Sequence, residues 1–178
     1  MENDIDHVLL TQEQIISRVK EIGKQISQDF AGKDIIFVGV LKGCFVFMAD
    51  LIRTIDIKCT MDFMAVSSYQ GTVSTGAVKI NKDLSQDIEG KHVIIVEDIL
   101  DSGVTLNYLK SYLLKVRNPA SVSIVTLLDK PARRKADIIP DYSCFEVPDE
   151  FVVGYGLDFN EQYRHLPYIG VLKPEIYS

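Results

Sequence analysis

Glu97, Asp98 and Asp101 fall within five residues of one another, in the run Val93-Ile94-Ile95-Val96-Glu97-Asp98-Ile99-Leu100-Asp101-Ser102-Gly103-Val104-Thr105-Leu106. Like charges this close repel unless a cation, hydroxyl groups or a proton-transfer task calls for them. The apolar start of the run predicts a buried strand that delivers the acidic pair Glu97-Asp98 at its C-terminal end, where open α/β sheets place ligands. Asp101 to Thr105 then turn the chain into a helix. Their successive N–H groups, with the helix N-terminus, form a nest suited to a phosphate monoester. Gly103 permits positive φ or close backbone approach, and Ser102 and Thr105 add hydroxyl donors. Helix capping would account for Asp-Ser-Gly alone. It does not account for the acidic cluster beside it.

These residues need a scaffold, and the flanking pattern predicts one. Thr11-Gln12-Glu13-Gln14 has the form of a capping box, followed by Ile15, Ile16, Val19, Ile22 and Ile26 at helical spacing, so a first helix runs to about Phe30. Asp34 to Leu41 is apolar and β-branched, as expected of a strand covered on both faces. Lys42-Gly43 leads into a helix from Cys44 to Arg53. Ile57 to Ser67 and Gly76 to Asn81 read as antiparallel strands joined by a long polar loop that contains Ser68 and Tyr69. After the central strand, a helix spans Val104 to Val116 and a strand Val122 to Leu128. Shorter strand-like pieces follow at Tyr142 to Val147, Phe151 to Gly154 and Tyr168 to Leu172. Alternating strands and helices define an α/β fold with a mainly parallel sheet, and no linker or repeat divides residues 1–178, so one domain is expected.

Composition limits the alternatives. With 47% hydrophobic and 25% charged residues, the chain has the make-up of a globular protein rather than a disordered one. No apolar run is long enough to cross a bilayer. The acidic start Met1-Glu2-Asn3-Asp4-Ile5-Asp6 has the wrong chemistry for a targeting peptide, and a cytoplasmic location is expected. Cys44, Cys59 and Cys144 are scattered without CxxC spacing and read as buried, reduced thiols. A net charge of −6 and a pI near 5.0 disfavour a nucleic-acid partner, and the basic residues between Lys130 and Lys135 form no extended patch. A polyanionic ligand must therefore be held locally, by oriented amides, a few lysines and a divalent cation.

The segment Val93 to Leu106 resembles the phosphoribosyl-pyrophosphate-binding signature of the type I phosphoribosyltransferases. The whole chain, through the tail Leu166-Pro167-Tyr168-Ile169-Gly170-Val171-Leu172-Lys173-Pro174, is similar to the bacterial hypoxanthine(-guanine) phosphoribosyltransferases. The resemblance implies the type I fold with a mobile loop and a small base-binding hood, and Mg²⁺-dependent joining of hypoxanthine or guanine to phosphoribosyl pyrophosphate. Position by position, it implies that Glu97 and Asp98 hold the ribose hydroxyls and Mg²⁺, directly or through water. Asp101 would be the general acid/base near purine N7, and Asp101 to Thr105 would cradle the 5′-phosphate. Lys42-Gly43 matches the pyrophosphate loop, with a cis Leu41–Lys42 peptide, and Arg164 matches a further pyrophosphate contact. Lys130 matches the donor to purine O6, Phe151-Val152 the residues that stack on the base and bond its edge, and Asp158 the Mg²⁺-linked carboxylate. Ser68-Tyr69 matches the closing loop. Val104 stands where some relatives carry lysine, which removes one charge from the phosphate loop. Dimers or tetramers are implied.

Three rival readings use the same residues. An RNA-binding regulator on this fold would want a basic face, which the acidic composition offers poorly. Transfer to xanthine, adenine or a pyrimidine keeps the reaction and changes only the base. A phosphoacceptor domain built on Asp98 leaves the Asp101–Thr105 turn without a purpose.

Overall fold

The computed structural model describes residues 2–68 and 78–177. Strand β1 (Ile5–Leu10) precedes helix α1 (Gln12–Asp29). The capping box at its start is made: the Gln14 amide donates to Thr11 Oγ1 at 3.3 Å, and the Thr11 amide to Gln14 Oε1 at 2.8 Å. Ile15, Val19, Ile22 and Ile26 are buried, as their spacing predicts. Next come β2 (Ile35–Leu41), α2 (Phe45–Ile52), β3 (Cys59–Ser68) and β4 (Val78–Lys82). The chain then runs through β5 (His92–Leu100), α3 (Val104–Val116), β6 (Ser121–Asp129), a 3₁₀ turn at Pro131–Arg133, β7 (Tyr142–Glu146), β8 (Val152–Val153), β9 (Ile169–Leu172) and α4 (Pro174–Tyr177).

The main sheet has six strands in the order β4-β3-β2-β5-β6-β7, all parallel except the β3–β4 pair. One face packs on α1 and α2, through Phe37, Ile94 and Val96 against Ile22, Phe47 and Leu51. The other face packs on α3, through Val38, Val93 and Ile95 against Leu106, Leu109 and Leu113. Burial on both faces is why β2 and β5 lack alternation. After β2 the chain moves to β3 on one side; after β5 it moves to β6 on the other. The gap between the ends of β2 and β5 is therefore a topological switch point, the usual ligand position in such sheets.

A separate antiparallel sheet, β1-β9-β8, forms a hood at the same end. Its outer strand β1 has no counterpart in the sequence reading. Two register irregularities interrupt its pairing with β9, and Asp6, His7 and Val8 are exposed, so the period of two that marks a strand is lost. β5 runs on to Leu100, which places Glu97 and Asp98 within the strand's last residues. β3 and β4 pair as expected; the loop that contains Tyr69 lies outside the described residues. Among the described residues no helix is long and apolar enough to cross a membrane. The three cysteines are free, and burial pushes the Cys144 thiol up to about 12 and the Cys44 thiol upward as well.

Candidate active site

A cavity of about 360 Å³ at the switch point brings together residues from four places in the chain. Lys42 and Gly43 come from the exit of β2, Glu97 and Asp98 from the end of β5, and Asp101, Ser102, Gly103 and Thr105 from the turn into α3; Asp158 and Arg164 follow β8. The Leu41–Lys42 peptide is cis. Gly43 sits so close to the acidic pair that a Cβ there would lie 1.8 Å from Asp98 Oδ2. A side chain at this position would have to displace the Asp98 carboxylate.

The turn is shaped from behind. Gly103 has φ 77°, and an added Cβ would also lie 2.5 Å from Ile138 Cγ2. The half-buried Arg134 donates through Nε to the Asp101 carbonyl at 3.0 Å and through Nη2 to the Leu100 carbonyl at 3.2 Å. It also donates to the Ile138 carbonyl and pairs with Asp129. The amides of Lys135 and Ala136 donate to the Ser102 carbonyl at 2.9 and 3.1 Å. A trans peptide sends its N–H opposite to its C=O, so tying back the carbonyls of Asp101 and Ser102 turns the amides of Ser102 and Gly103 the other way. No side chain caps α3, and the nearest approach is the Val104 amide 3.5 Å from Ser102 Oγ. The first-turn amides keep the partial positive charge that favours an anion. The Val104 side chain is exposed and is not part of the cavity wall.

Charge is divided across the cavity. Burial, then the neighbouring Asp98 charge, holds the Glu97 carboxyl well above its usual range. Burial raises Asp98 to about 6, although the Ile99 amide, 2.9 Å from Oδ1, and the Arg164 charge oppose the shift. Glu97 Oε2 and Asp101 Oδ1 are buried with no hydrogen-bond partner among the described residues. Orphaned carboxylate oxygens beside a second acid suit a cation. They do not make a closed cage: among the described residues no group of three His, Cys, Asp or Glu converges on one point. Asp158, the third expected carboxylate, spends Oδ1 on Arg164 Nη2 and Oδ2 on the Glu161 amide, both at 2.9 Å. This donor set fits a hard ion that keeps waters and takes ligand oxygens.

A second cavity, of about 170 Å³, shares Asp101 with the first and is walled by Lys130, Phe151 and Val152. Lys130 is only 4% exposed, where a lysine before a proline would ordinarily be solvated. Its Nζ donates to the Glu150 carbonyl at 2.8 Å, and burial lowers its pKa against the opposing pull of Asp101. Phe151 stacks on Tyr177 at 4.7 Å between centroids and meets Phe159 edge-on. Ser68 closes β3 through its backbone pairing with Val78, while Tyr69 lies outside the described residues.

Two contributors escaped the sequence reading. Arg134 belongs to a basic run weighed there only as a surface patch, and its separation from Asp101 along the chain hides the contact. Glu161 bridges Lys42 Nζ at 3.0 Å and Arg164 Nη2 at 3.3 Å, and nothing in its local sequence marks it out.

A model of the phosphoribosyl transferase domain matches residues 8–160. The hypoxanthine-guanine phosphoribosyltransferase of Streptococcus pneumoniae R6 is 54% identical over all of this chain and 99% of that protein. The crystal structure of a hypoxanthine phosphoribosyltransferase from Staphylococcus aureus superposes with a TM-score of 0.95 at 56% identity, covering 100% of this chain and 97% of that one. A mutant of the Trypanosoma cruzi hypoxanthine phosphoribosyltransferase, solved as a ternary substrates complex, superposes with a TM-score of 0.94 at 41% identity, covering 99% and 100%. The chain belongs to the phosphoribosyl transferase family, in its hypoxanthine-guanine branch.

Replacing Arg134 with Met strips Asp129 of its partner and leaves the Asp101 and Ile138 carbonyls without their side-chain donor, while the Leu100 carbonyl keeps the Lys130 amide. Loss of one partner of a half-buried ion pair predicts destabilisation by about 2 kcal/mol, read from urea unfolding, with Arg134→Lys recovering part of it. Unfolding midpoints unchanged in Arg134→Met would show that the turn is held without it.

Proposed function

We propose that the chain transfers the phosphoribosyl group of 5-phosphoribosyl 1-pyrophosphate to N9 of hypoxanthine or guanine, forming IMP or GMP and pyrophosphate. The observation that carries this reading is the place of Asp101, which lines both cavities. One cavity has the anion-binding turn and acidic pair that a phosphorylated sugar needs. The other has the apolar walls and buried cationic donor that a flat 6-oxo base needs. A proton acceptor at their junction stands where the two reactants meet.

In this mechanism the amides and hydroxyls from Ser102 to Thr105 hold the 5′-phosphate, and Glu97 and Asp98 face the ribose hydroxyls. The bond from C1′ to the pyrophosphate oxygen breaks as the bond from C1′ to N9 forms. Negative charge grows on the leaving group, where Lys42, the Gly43 amide and Arg164 oppose it. Glu97, Asp98 and Asp158 are the residues that would hold Mg²⁺, which would supply further neutralisation of that charge. Asp101 holds or removes the N7 proton, which leaves N9 free to attack. Lys130 donates to O6 and would be mismatched against the 6-amino group of adenine, and Phe151 and Val152 hold the base by stacking and through the backbone. Exclusion of water from the activated sugar is the role that the family resemblance implies for Ser68-Tyr69, of which Tyr69 lies outside the described residues. The family resemblance further supports a cytoplasmic homodimer or homotetramer.

Pyrophosphate release assayed against a panel of free bases, with phosphoribosyl pyrophosphate and Mg²⁺, tests the reading. Release with hypoxanthine and guanine is expected; release with adenine or a pyrimidine alone would contradict it. Asp101→Asn should lower kcat by about two to four orders of magnitude, the usual worth of a general acid/base, with a smaller change in KM for the sugar substrate. Turnover near wild type would remove Asp101 from the proton transfer. Lys130→Ala should instead raise KM for the base and blur its selectivity, and unchanged hypoxanthine kinetics would refute the O6 contact.

A further inference from the structure

The two side-chain cations assigned to the leaving group already share an anion. A single oxygen of Glu161 lies 3.0 Å from Lys42 Nζ and 3.3 Å from Arg164 Nη2. Glu161 is not a loose surface residue at its backbone. Its amide donates to Asp158 Oδ2 at 2.9 Å, and it occupies the left-handed region at φ 62°, uncommon for a residue other than glycine. The hood thus delivers the carboxylate to one place. At its tip, however, the contact is open to water: the Glu161 and Lys42 side chains are 63% and 67% exposed, and only Arg164 is mostly covered, at 18%. The hydrogen bonds from Lys42 and Arg164 hold the Glu161 carboxyl below its usual range, so it is charged at neutral pH.

We infer that Glu161 is a resident competitor for the leaving-group site, its carboxylate holding the Lys42 and Arg164 donors until pyrophosphate displaces it. The inference rests on the proposed roles of Lys42 and Arg164. The physical case is one of relative strength. An exposed carboxylate shared by two cations is weakly held and screened by water. A pyrophosphate group brings several negative charges to the same donors and wins the exchange. The exchange still subtracts from affinity, because each donor must release one partner to take another. Glu161 therefore sets how tightly the diphosphate part of a ligand binds, and leaves ligands without that part untouched. A residue that merely held Lys42 and Arg164 in place would act in the opposite direction.

Glu161→Gln in the full-length chain tests this, with Glu13→Gln, exposed on α1, as a control for loss of one negative charge. The KM for phosphoribosyl pyrophosphate and the inhibition constant of inorganic pyrophosphate should both fall by about two- to five-fold in Glu161→Gln, the range an exposed ion pair commands. The KM for the base and inhibition by IMP should stay at wild-type values, since neither carries the leaving group, and Glu161→Asp should restore part of the competition. Unchanged or raised constants for the two pyrophosphate ligands would overturn the inference. So would equal tightening of IMP, or equal effects in Glu13→Gln, either of which would indicate a general field. If wild type formed no nucleotide at all, the proposed reaction would fall instead. Calorimetric titration of inorganic pyrophosphate onto wild type and Glu161→Gln would still decide the role of Glu161.

Discussion

The carbonyl oxygens of Leu100, Asp101 and Ser102 are all drawn into donors from residues 130–136, and this backing determines which way the following amides face. A turn held by its own side chains could not do this, because a capping hydroxyl would consume the donors that a phosphate needs. Here the restraint comes from outside, from a largely covered guanidinium and three backbone amides. Gly103 takes the left-handed conformation that the bend requires, in a space where a methyl group would strike Ile138. The sheet contributes by placing the bend at the switch point, beside the exits of β2 and β5. Position and polarity of the anion site thus come from long-range packing, although the residues that would bind are contiguous.

Around that bend the charges are separated by function. Glu97 and Asp98 sit together at the end of β5, where burial raises both carboxyls, with the Asp98 charge adding to it at Glu97 and the Asp158 charge at Asp98; Glu97 Oε2 has no partner among the described residues. Lys42 and Arg164 lie on the other side, pinned by Glu161 and Asp158. In a protein of net charge −6, a polyanion would be held by such local arrangement rather than by the overall field. The same logic explains how a site can suit a divalent ion without forming a cage for it: the carboxylates converge only in part, and ligand oxygens complete the set.

Much of this was legible in the chain. The central strands, α1 with its capping box, α3 from Val104 to Val116 and the contiguous Glu97–Thr105 motif all show in local pattern, because each depends on near neighbours. The family resemblance extended that reading to Lys130, Phe151, Asp158 and Arg164, none of which carries a local signal of its own. What stayed hidden depends on contacts between distant segments. β1 is irregular and half exposed, so its pairing with β9 leaves no alternation to read. Arg134 looks like one more surface base until the fold buries it against Asp101 and Asp129. Glu161 has no meaning before the hood brings it to Lys42.

The bend between β5 and α3, on the function proposed, grips a terminal phosphate through its main chain. A crystal of the chain soaked with IMP measures this directly. Phosphate oxygens should lie within hydrogen-bond distance of the amides between Ser102 and Thr105, with the ribose toward Glu97 and Asp98 and the base beside Lys130. A nucleotide bound with its phosphate elsewhere, and the bend holding only water, would contradict it.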